Sequence, residues 1–468
     1  MDEKIIRRNL LLYTGITAVS FTYLVMPERA ALGIPVFAAI QLLLLWFTVP
    51  ERKKLWRFIP IFILSCQPFI SGNGMWRIPN FIACVFLYAA LFLDYDRNDL
   101  SIRFLGRIFE RLVVPFQYFA VPFQWLGSLH KGKTALLKRI LLALVITVPC
   151  AIILILILSS ADMVFSEQAD IFIENCLGYI NVNVVLKCVA GVVAALYLFG
   201  IVFAARFKKM EMPHVPKTKR HDFLIMNIFL AAILIIYTCF VVVQFRYLFA
   251  HGALPYGLSR TEYARRGFFE LLFLTAVNIV IILLMVYFKK DGSGIGKRIT
   301  TVLCCYLCAV TIVLLVSSFY RMYLYSADDG LTRMRFMVFG FLIFEALGLL
   351  ITFAYIIRPK FNIAAIYLLL ALTYYLVLNV IPMDRIIAKS QVDRYFSGSP
   401  AGIAYTMTLS SDAADEISRL LAPRPGDDAV KQQAEEYFEN LKAKNDELPR
   451  RWQRFNLSLK HAEQYNGG

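Results

Sequence analysis

Two arginine-bearing turns, each followed by a carboxylate inside an apolar segment, have the residue types that could bind an anion. Gly-Leu-Ser-Arg at 257–260 recurs as Gly-Leu-Thr-Arg at 330–333, and each copy lies between two long apolar segments. The next apolar segment contains Glu270 in the first copy and Glu345 in the second. Guanidinium groups bind phosphate and carboxylate through paired N–H donors. The sequence therefore indicates a duplicated membrane hairpin with anion-binding chemistry at its turn.

The candidate site comprises the charged residues around both turns. Arg266 and Glu270 are four residues apart, so they can pair along one helix face. Two interpretations remain open. The arginines form an outward-facing site for phosphate or carboxylate groups, or they form an internal ion-pair network that holds the repeats together and anchors the carboxyl-terminal segment. The residues concerned are Arg246, Arg260, Arg265, Arg266, Glu270, Arg321, Asp328, Asp329, Arg333, Arg335 and Glu345.

The elements that position these residues are predicted to be membrane-spanning helices. Of 468 residues, 59% are hydrophobic and 18% charged, and the mean hydropathy of +0.61 excludes a soluble globular protein. The fold class is all-α, a polytopic transmembrane helix bundle of about eleven spans, with ten and twelve as alternatives, since a span needs about 20 apolar residues. The predicted spans are 10–26, 30–50, 58–71, 76–94, 136–159, 180–205, 223–245, 267–288, 299–319, 334–357 and 361–381.

The distribution of lysine and arginine predicts the orientation of the chain. The amino terminus and the segments 51–57, 206–220 and 289–298 are basic, whereas 160–179 contains acidic residues and no lysine or arginine. Basic flanks resist translocation, so we expect a cytoplasmic amino terminus and an extracytoplasmic carboxyl terminus. Basic inner loops facing anionic lipid account for most of the net charge of +16. Membrane lipids are thus expected partners, and nucleic acid is not, because no recognition motif accompanies the charge.

The same pattern divides the chain into five parts. The last part has twelve basic and thirteen acidic residues, and its helical pattern predicts a small extracytoplasmic helical domain. The parts are amino-terminal transmembrane helices at 1–96, a cytoplasmic amphipathic connector at 97–135, transmembrane helices at 136–206, a transmembrane core with the duplicated hairpins at 207–382, and the cap at 383–468.

Familiar catalytic and metal-binding patterns are absent from the sequence. There is no His-Glu-x-x-His and no Gly-x-Ser-x-Gly, and the glycine-rich segment 292–297 is preceded by Asp291 and followed by Arg298, where a phosphate loop requires glycine and Ser/Thr. Most of the nine cysteines fall in or beside predicted spans. We therefore predict no metal and no cofactor, and no catalytic residue is identified.

Several segments resemble a known family. They are 256–270, 330–333, 382–395 and 452–457, and they are similar to bacterial polytopic membrane proteins grouped as domain of unknown function 4173 and its relative 4153. The resemblance covers roughly residues 210–460, with a departure at or beside Gln391, where related sequences usually carry an asparagine. It implies a bacterial plasma-membrane protein of unassigned function and transfers no catalytic residues.

Three classes of function remain open. The first is a sensor, scaffold or accessory protein of the cell envelope. It would bind an anionic or phosphorylated ligand on the outer face and interact with a membrane or cytosolic protein partner. The second is a transporter or flippase for an anionic or lipid-linked substrate, with Glu270, Glu345 and Lys187 as coupling groups. The third is an outer-leaflet lipid-modifying enzyme, whose base would be Asp328, Asp329 or Glu262.

Overall fold

The protein is helical throughout the part that the structure describes. The computed structural model describes residues 3–49, 52–92, 102–128, 182–207, 223–244, 268–288, 294–358, 361–399, 402–422, 428–447 and 451–465, with isolated positions between 147 and 168. Within these ranges there is no strand. The α-helices are α1 (Glu3–Leu24), α2 (Gly33–Thr48), α3 (Ile59–Ile70), α4 (Arg77–Ala90), α5 (Ile102–Val113), α6 (Val121–Ser128), α7 (Val182–Phe207), α8 (Phe223–Gln244), α9 (Phe268–Phe288), α10 (Ile295–Asp329), α11 (Arg333–Ile357), α12 (Ile363–Val380), α13 (Met383–Phe396), α14 (Ile403–Thr406), α15 (Ala414–Ser418), α16 (Asp428–Asp446) and α17 (Leu457–Ala462).

Six of these helices, α7 to α12, contain segments long and apolar enough to cross a membrane. Helix α2 is apolar but shorter. Large apolar side chains face outwards from these helices; in α8, Leu224, Ile225 and Ile236 are 66%, 66% and 70% exposed. Such exposure on a span-length helix is typical of contact with lipid, because water would penalise it. The protein is therefore a membrane protein.

The count of about eleven spans stays a prediction. Ten of the predicted segments overlap helices of the described residues, and the segment 136–159 lies almost entirely outside them. The helices that these ten segments overlap include α1, α3 and α4, and none of these three is among the six span-length apolar helices.

Helices α8 to α11 share one apolar core. Leu230 of α8, Ile282 of α9, Leu307 of α10 and Leu342 of α11 are all buried in it. Helix α10 has 35 residues, which at about 1.5 Å per residue is about 50 Å long and exceeds the roughly 30 Å of a bilayer core. Helix α10 is therefore longer than the hydrocarbon region, and at least one of its ends extends beyond it.

The amino-terminal helices and α7 form a second core. At its centre the Tyr13 hydroxyl donates to Gln41 Oε1 at 2.9 Å and lies 2.7 Å from the Tyr88 hydroxyl, so three helices share one buried network. Helix α7 crosses α1 closely, because a Cβ at Gly191 would lie 1.9 Å from Thr22 Oγ1. At the far end, Arg206 donates to the carbonyl of Thr48 at 2.6 Å.

The described residues of 383–465, here called the C-terminal segment, form a third core. It includes Ile387, Ile417, Tyr437 and Phe438, and Phe336 of α11 packs against it. The segment contacts the carboxyl-terminal ends of α1 and α3: Gln453 Nε2 donates to the carbonyl of Tyr23 at 3.4 Å, and Asn456 Nδ2 donates to the carbonyl of Pro68 at 2.7 Å. It therefore lies on one face of the bundle.

Candidate functional site

The described part of the candidate site is the second hairpin turn. Arg246, Arg260, Arg265 and Arg266 lie outside the described residues. The turn of the second copy follows from its sequence. Gly330 ends α10 with a φ of +82°, a conformation that favours glycine, and the Thr332 side chain begins α11 by accepting from Arg335 N at 3.4 Å. Arg333 is consequently the first residue of α11.

The guanidinium of Arg333 is held by a carboxylate from the C-terminal segment. Arg333 Nε donates to Asp384 Oδ1 at 2.7 Å and its terminal nitrogen donates to Asp384 Oδ2 at 2.6 Å. The Asp384 side chain is completely buried, whereas that of Arg333 is 27% exposed. This bidentate pair joins the start of α11 to the start of α13.

Two further donors complete the surroundings of Asp384. Ser410 N donates to Oδ2 at 3.1 Å, and Asn73 Nδ2 donates to Oδ1 at 3.4 Å. Burial raises the pKa of the Asp384 carboxyl, but hydrogen bonds from Arg333 and Ser410 and the charge of Arg333 outweigh burial, so the pKa lies below its ordinary 3.8. We call Asp384, Arg333, Asn73 and Ser410 the Asp384 cluster; it connects three separate parts of the chain.

Arg335 is also paired within the turn. It donates to the carbonyl of Gly330 and to Asp329 Oδ2 at 3.1 Å, and its guanidinium lies 3.8 Å from the centre of the Tyr325 ring. Beside it is a cavity of about 320 Å³, lined by Phe268, Phe269, Met322, Tyr325, Thr332, Met334, Arg335 and Val338. Arg335 is thus the charged residue at the wall of a mainly apolar cavity.

Residues of α13 that the sequence did not single out as site residues also contact the turn. Arg394 donates to the carbonyl of Ser326 at 3.3 Å, to that of Ala327, and to that of Asp328 at 2.9 Å. These are carbonyls of the last turn of α10, where the helix supplies few N–H donors; the Ser326 carbonyl also accepts from Gly330 N at 3.0 Å. Gln391 Nε2 donates to the carbonyl of Leu331 at 2.7 Å. An arginine and an amide of α13 therefore stabilise the end of α10 and the turn after it.

A second carboxylate, Asp412, attaches the C-terminal segment to the end of α3. It accepts from the Ser71 hydroxyl and from Gly72 N at 2.8 Å. Its neighbour Ser411 lies 2.7 Å from the Ser458 hydroxyl, oxygen to oxygen. No local sequence pattern reveals this contact, because Gly72 and Asp412 are 340 positions apart.

The remaining predicted residues lie away from the Asp384 cluster. Glu270 is exposed on α9, and Arg321 is buried on α10 with 6% exposure. Glu345 is buried inside the bundle, where its Oε2 is 2.9 Å from the hydroxyl oxygen of Thr275. Ten positions separate Glu345 from Arg335 on α11, a distance of about 15 Å along the axis. The structure therefore does not bring Glu345 to the arginines of the turn.

The described residues contain no group of three or more His, Cys, Asp or Glu side chains that could hold a metal ion. The chemistry of the site is that of guanidinium, carboxylate and amide groups.

Comparison with known proteins identifies one family. Residues 58–420 match the family described as "Domain of unknown function (DUF4153)". No curated protein matches the chain, and no solved structure matches it.

Proposed function

Because the chain belongs to the family described as domain of unknown function DUF4153, which assigns no activity, we propose a function from the geometry of the second turn. The protein is a membrane-embedded sensor or scaffold of the bacterial cell envelope. Its C-terminal segment is a cap docked on the helix bundle, and the arginines of the turn serve as the internal attachment of that cap. The cap presents a surface to a ligand or protein partner.

The hydrogen-bond arrangement of the Asp384 cluster carries this proposal. Both oxygens of a fully buried carboxylate are occupied by Arg333, Asn73 and the Ser410 amide. An anion that bound the Nε and terminal N–H groups of Arg333 in the same two-point manner would have to displace Asp384 and leave it buried without its charged partner, which is strongly unfavourable. The geometry therefore favours an ion-pair attachment over an open anion site at Arg333.

The orientation and the membrane are part of the proposal. We place the amino terminus in the cytoplasm, the C-terminal segment outside, and the protein in the bacterial plasma membrane. The C-terminal segment contacts the ends of α1 and α3, whereas Arg206 binds Thr48 at the opposite ends of α7 and α2. A basic face opposite the cap agrees with the tendency of basic loops to remain in the cytoplasm.

Limited proteolysis of the purified protein in detergent tests the attachment. If the cluster holds the cap, Arg333→Gln and Asp384→Asn each expose the C-terminal segment to trypsin while the bundle stays folded, and inorganic phosphate does not protect the wild type. If Arg333 is an anion site, phosphate raises the melting temperature of the wild type, and Arg333→Gln abolishes that effect without exposing the segment. The second result would overturn the proposal.

The cavity beside Arg335 supports a second candidate function, binding of a lipid with an anionic headgroup. Its volume of about 320 Å³ is at the lower end of ligand pockets, and its apolar side chains suit an acyl chain next to one guanidinium. Val338→Trp, which would fill the cavity, is expected to abolish retention of added phosphatidylglycerol by the delipidated protein. Equal retention by wild type and variant would exclude the cavity as the lipid site.

A further inference from the structure

Glu345 is a buried carboxyl group that the attachment of the cap does not use. It lies on α11 within the span-length segment Arg333–Ile357 and is 2% exposed. Among the described residues it has no ion pair. An ionised carboxylate at such a position is costly unless a partner or water compensates it.

The contacts of Thr275 indicate where the hydrogen atoms lie. The Thr275 hydroxyl oxygen is 2.7 Å from the carbonyl oxygen of Leu272 and 2.9 Å from Glu345 Oε2. A carbonyl only accepts, and a hydroxyl has one hydrogen to donate but can also accept. If that hydrogen goes to Leu272, a protonated Glu345 can donate its own O–H to Thr275. With a single hydrogen on Thr275, each of the two short contacts can be a full, unshared hydrogen bond when Glu345 is the neutral acid and donates to Thr275.

The second oxygen of the carboxyl group agrees with this assignment. Glu345 Oε1 is buried and has no hydrogen-bond partner among the described residues. Leaving a neutral carbonyl oxygen without a donor costs far less than leaving a charged oxygen without one.

The surrounding helices bring few titratable groups to Glu345. Cys308 of α10 contacts the carbonyl of Leu349, one turn from Glu345, and the Tyr367 hydroxyl of α12 lies 2.8 Å from the carbonyl oxygen of Gly348. Glu270 of α9 is exposed and five positions before Thr275. Arg335 is ten positions from Glu345 on α11, about 15 Å along the helix axis. Arg321 of α10 is buried, and the hydrogen bond described for Glu345 goes to Thr275, not to an arginine.

We propose that Glu345 and Thr275 form a proton-binding site in the interior of the bundle. The ligand is a proton: the carboxylate of Glu345 takes one H⁺ from water to form an O–H bond, and the resulting neutral acid donates to Thr275. This site is distinct from the cap attachment, and its occupancy at neutral pH does not depend on whether Arg333 holds the cap.

Infrared spectroscopy of the full-length protein in nanodiscs tests the proposal directly. At pH 7, where exposed carboxyl groups with pKa values of about 4 are ionised, the wild type is expected to show a carboxylic-acid C=O band. Its frequency is expected to be that of a carbonyl without a hydrogen-bond donor, because Oε1 lacks one. Glu345→Gln, which keeps the size and hydrogen-bonding ability of the side chain, is expected to lose the band.

Two matched variants make the result specific. Thr275→Val is expected to retain the band and move it to higher wavenumber, because the acid loses the acceptor of its O–H. Glu270→Gln, an exposed carboxyl on the same helix as Thr275, is expected to leave the band unchanged. If Glu345→Gln does not fold, the shift in Thr275→Val makes the same assignment. Absence of the band in the wild type at pH 7 would overturn the proposal. Loss of the band when Na⁺ is added at constant pH would also overturn it, because it would show that the site binds a metal cation and not a proton.

Discussion

Arg333 and Asp384 form a two-point ion pair, with N···O distances of 2.7 and 2.6 Å, between the first turn of α11 and the first turn of α13. The carboxylate is fully buried and the guanidinium is mostly so. The pair therefore joins the hairpin to the C-terminal segment at a place where water cannot reach the carboxylate to replace the guanidinium.

Removing one member of this pair is expected to destabilise the attachment strongly. Breaking a buried ion pair leaves a charge without compensation, and the typical cost is about 3–5 kcal/mol. We expect Arg333→Gln and Asp384→Asn each to lower the unfolding free energy by about that amount, and the double variant to cost less than the sum. Chemical denaturation in detergent measures all three.

The control is Arg419, whose pairs with Asp393 and Glu416 are more exposed. Because exposed pairs contribute about 0–1 kcal/mol, Arg419→Gln should change the unfolding free energy by less than about 1 kcal/mol. A loss at Arg419 as large as that at Arg333 would contradict the special role of the Asp384 cluster.

Acid is expected to release the C-terminal segment. The pKa of Asp384 lies below its ordinary 3.8 in the folded protein, so its stabilising contribution is fully present above pH 3.8 and is lost as pH falls through the folded pKa. Cleavage of the segment by pepsin should therefore increase steeply below pH 3.8. Asp384→Asn should show a smaller change over the same range, and an equal change would mean that other carboxyl groups control the release.

Helix positions could be predicted well from the sequence where the apolar pattern is continuous. The predicted spans 223–245, 267–288 and 334–357 agree with α8, α9 and α11 within one residue at each end. Helix α10 was predicted at 299–319 but extends over Ile295–Asp329. Its last turns contain the charged residues Arg321, Asp328 and Asp329. Charged residues lower the mean hydropathy and so end the predicted span, although the helical hydrogen bonding continues beyond the apolar part.

The site could be predicted only in part. Arg333 was identified from the repeat, but its partner Asp384 lies 51 positions later, and Asn73 lies 311 positions from Asp384. Spacing along a chain shows which residues share a helix face, whereas contacts between distant segments depend on tertiary packing. Gln391 and Arg394 could not be recognised as partners of the turn for the same reason. In addition, the groups to which they donate are backbone carbonyls, which no residue type marks in the sequence.

The junction between the end of α3 and the cap is expected to be sensitive to a single methyl group. A Cβ at Gly72 would lie 2.0 Å from Ser411 Oγ and 3.3 Å from Ser411 N, so Gly72→Ala should destabilise the docked cap by about 1–3 kcal/mol. At Gly74 the nearest atom would be 4.0 Å away, and Gly74→Ala should leave trypsin resistance of the cap unchanged. Equal behaviour of the two variants would show that the contact at Gly72 is not required.

Cysteine labelling is expected to place the two ends of the bundle on opposite sides of the membrane. In a background without the nine native cysteines, Gln432→Cys on the exposed face of α16 should react with an impermeant maleimide in intact cells. Arg298→Cys, exposed at the start of α10, should react only after the membrane is permeabilised. The reverse pattern would invert the proposed orientation.

The turn at Gly330 is expected to tolerate no side chain, for two separable reasons. Its φ of +82° and ψ of 174° lie in a region that essentially only glycine adopts, which costs an L-residue about 1–3 kcal/mol, and a Cβ there would lie 2.4 Å from the amide atoms of Gln391. Gly398 has a φ of +93° with nothing within 4 Å of its Cβ position, so Gly398→Ala should show only the conformational cost.

Adding Gln391→Ala to Gly330→Ala separates the packing of Gln391 against the turn from the backbone strain at Gly330. We expect Gly330→Ala to lower the unfolding free energy by at least about 1–3 kcal/mol more than Gly398→Ala, because an overpacked contact is added to the backbone strain. Introducing Gln391→Ala together with Gly330→Ala should remove the steric part and recover some of that difference. If Gly330→Ala and Gly398→Ala were equally stable, the side chain of Gln391 would not be packed tightly against the turn. The amide of Gln391 would then not help to position Arg333 next to Asp384.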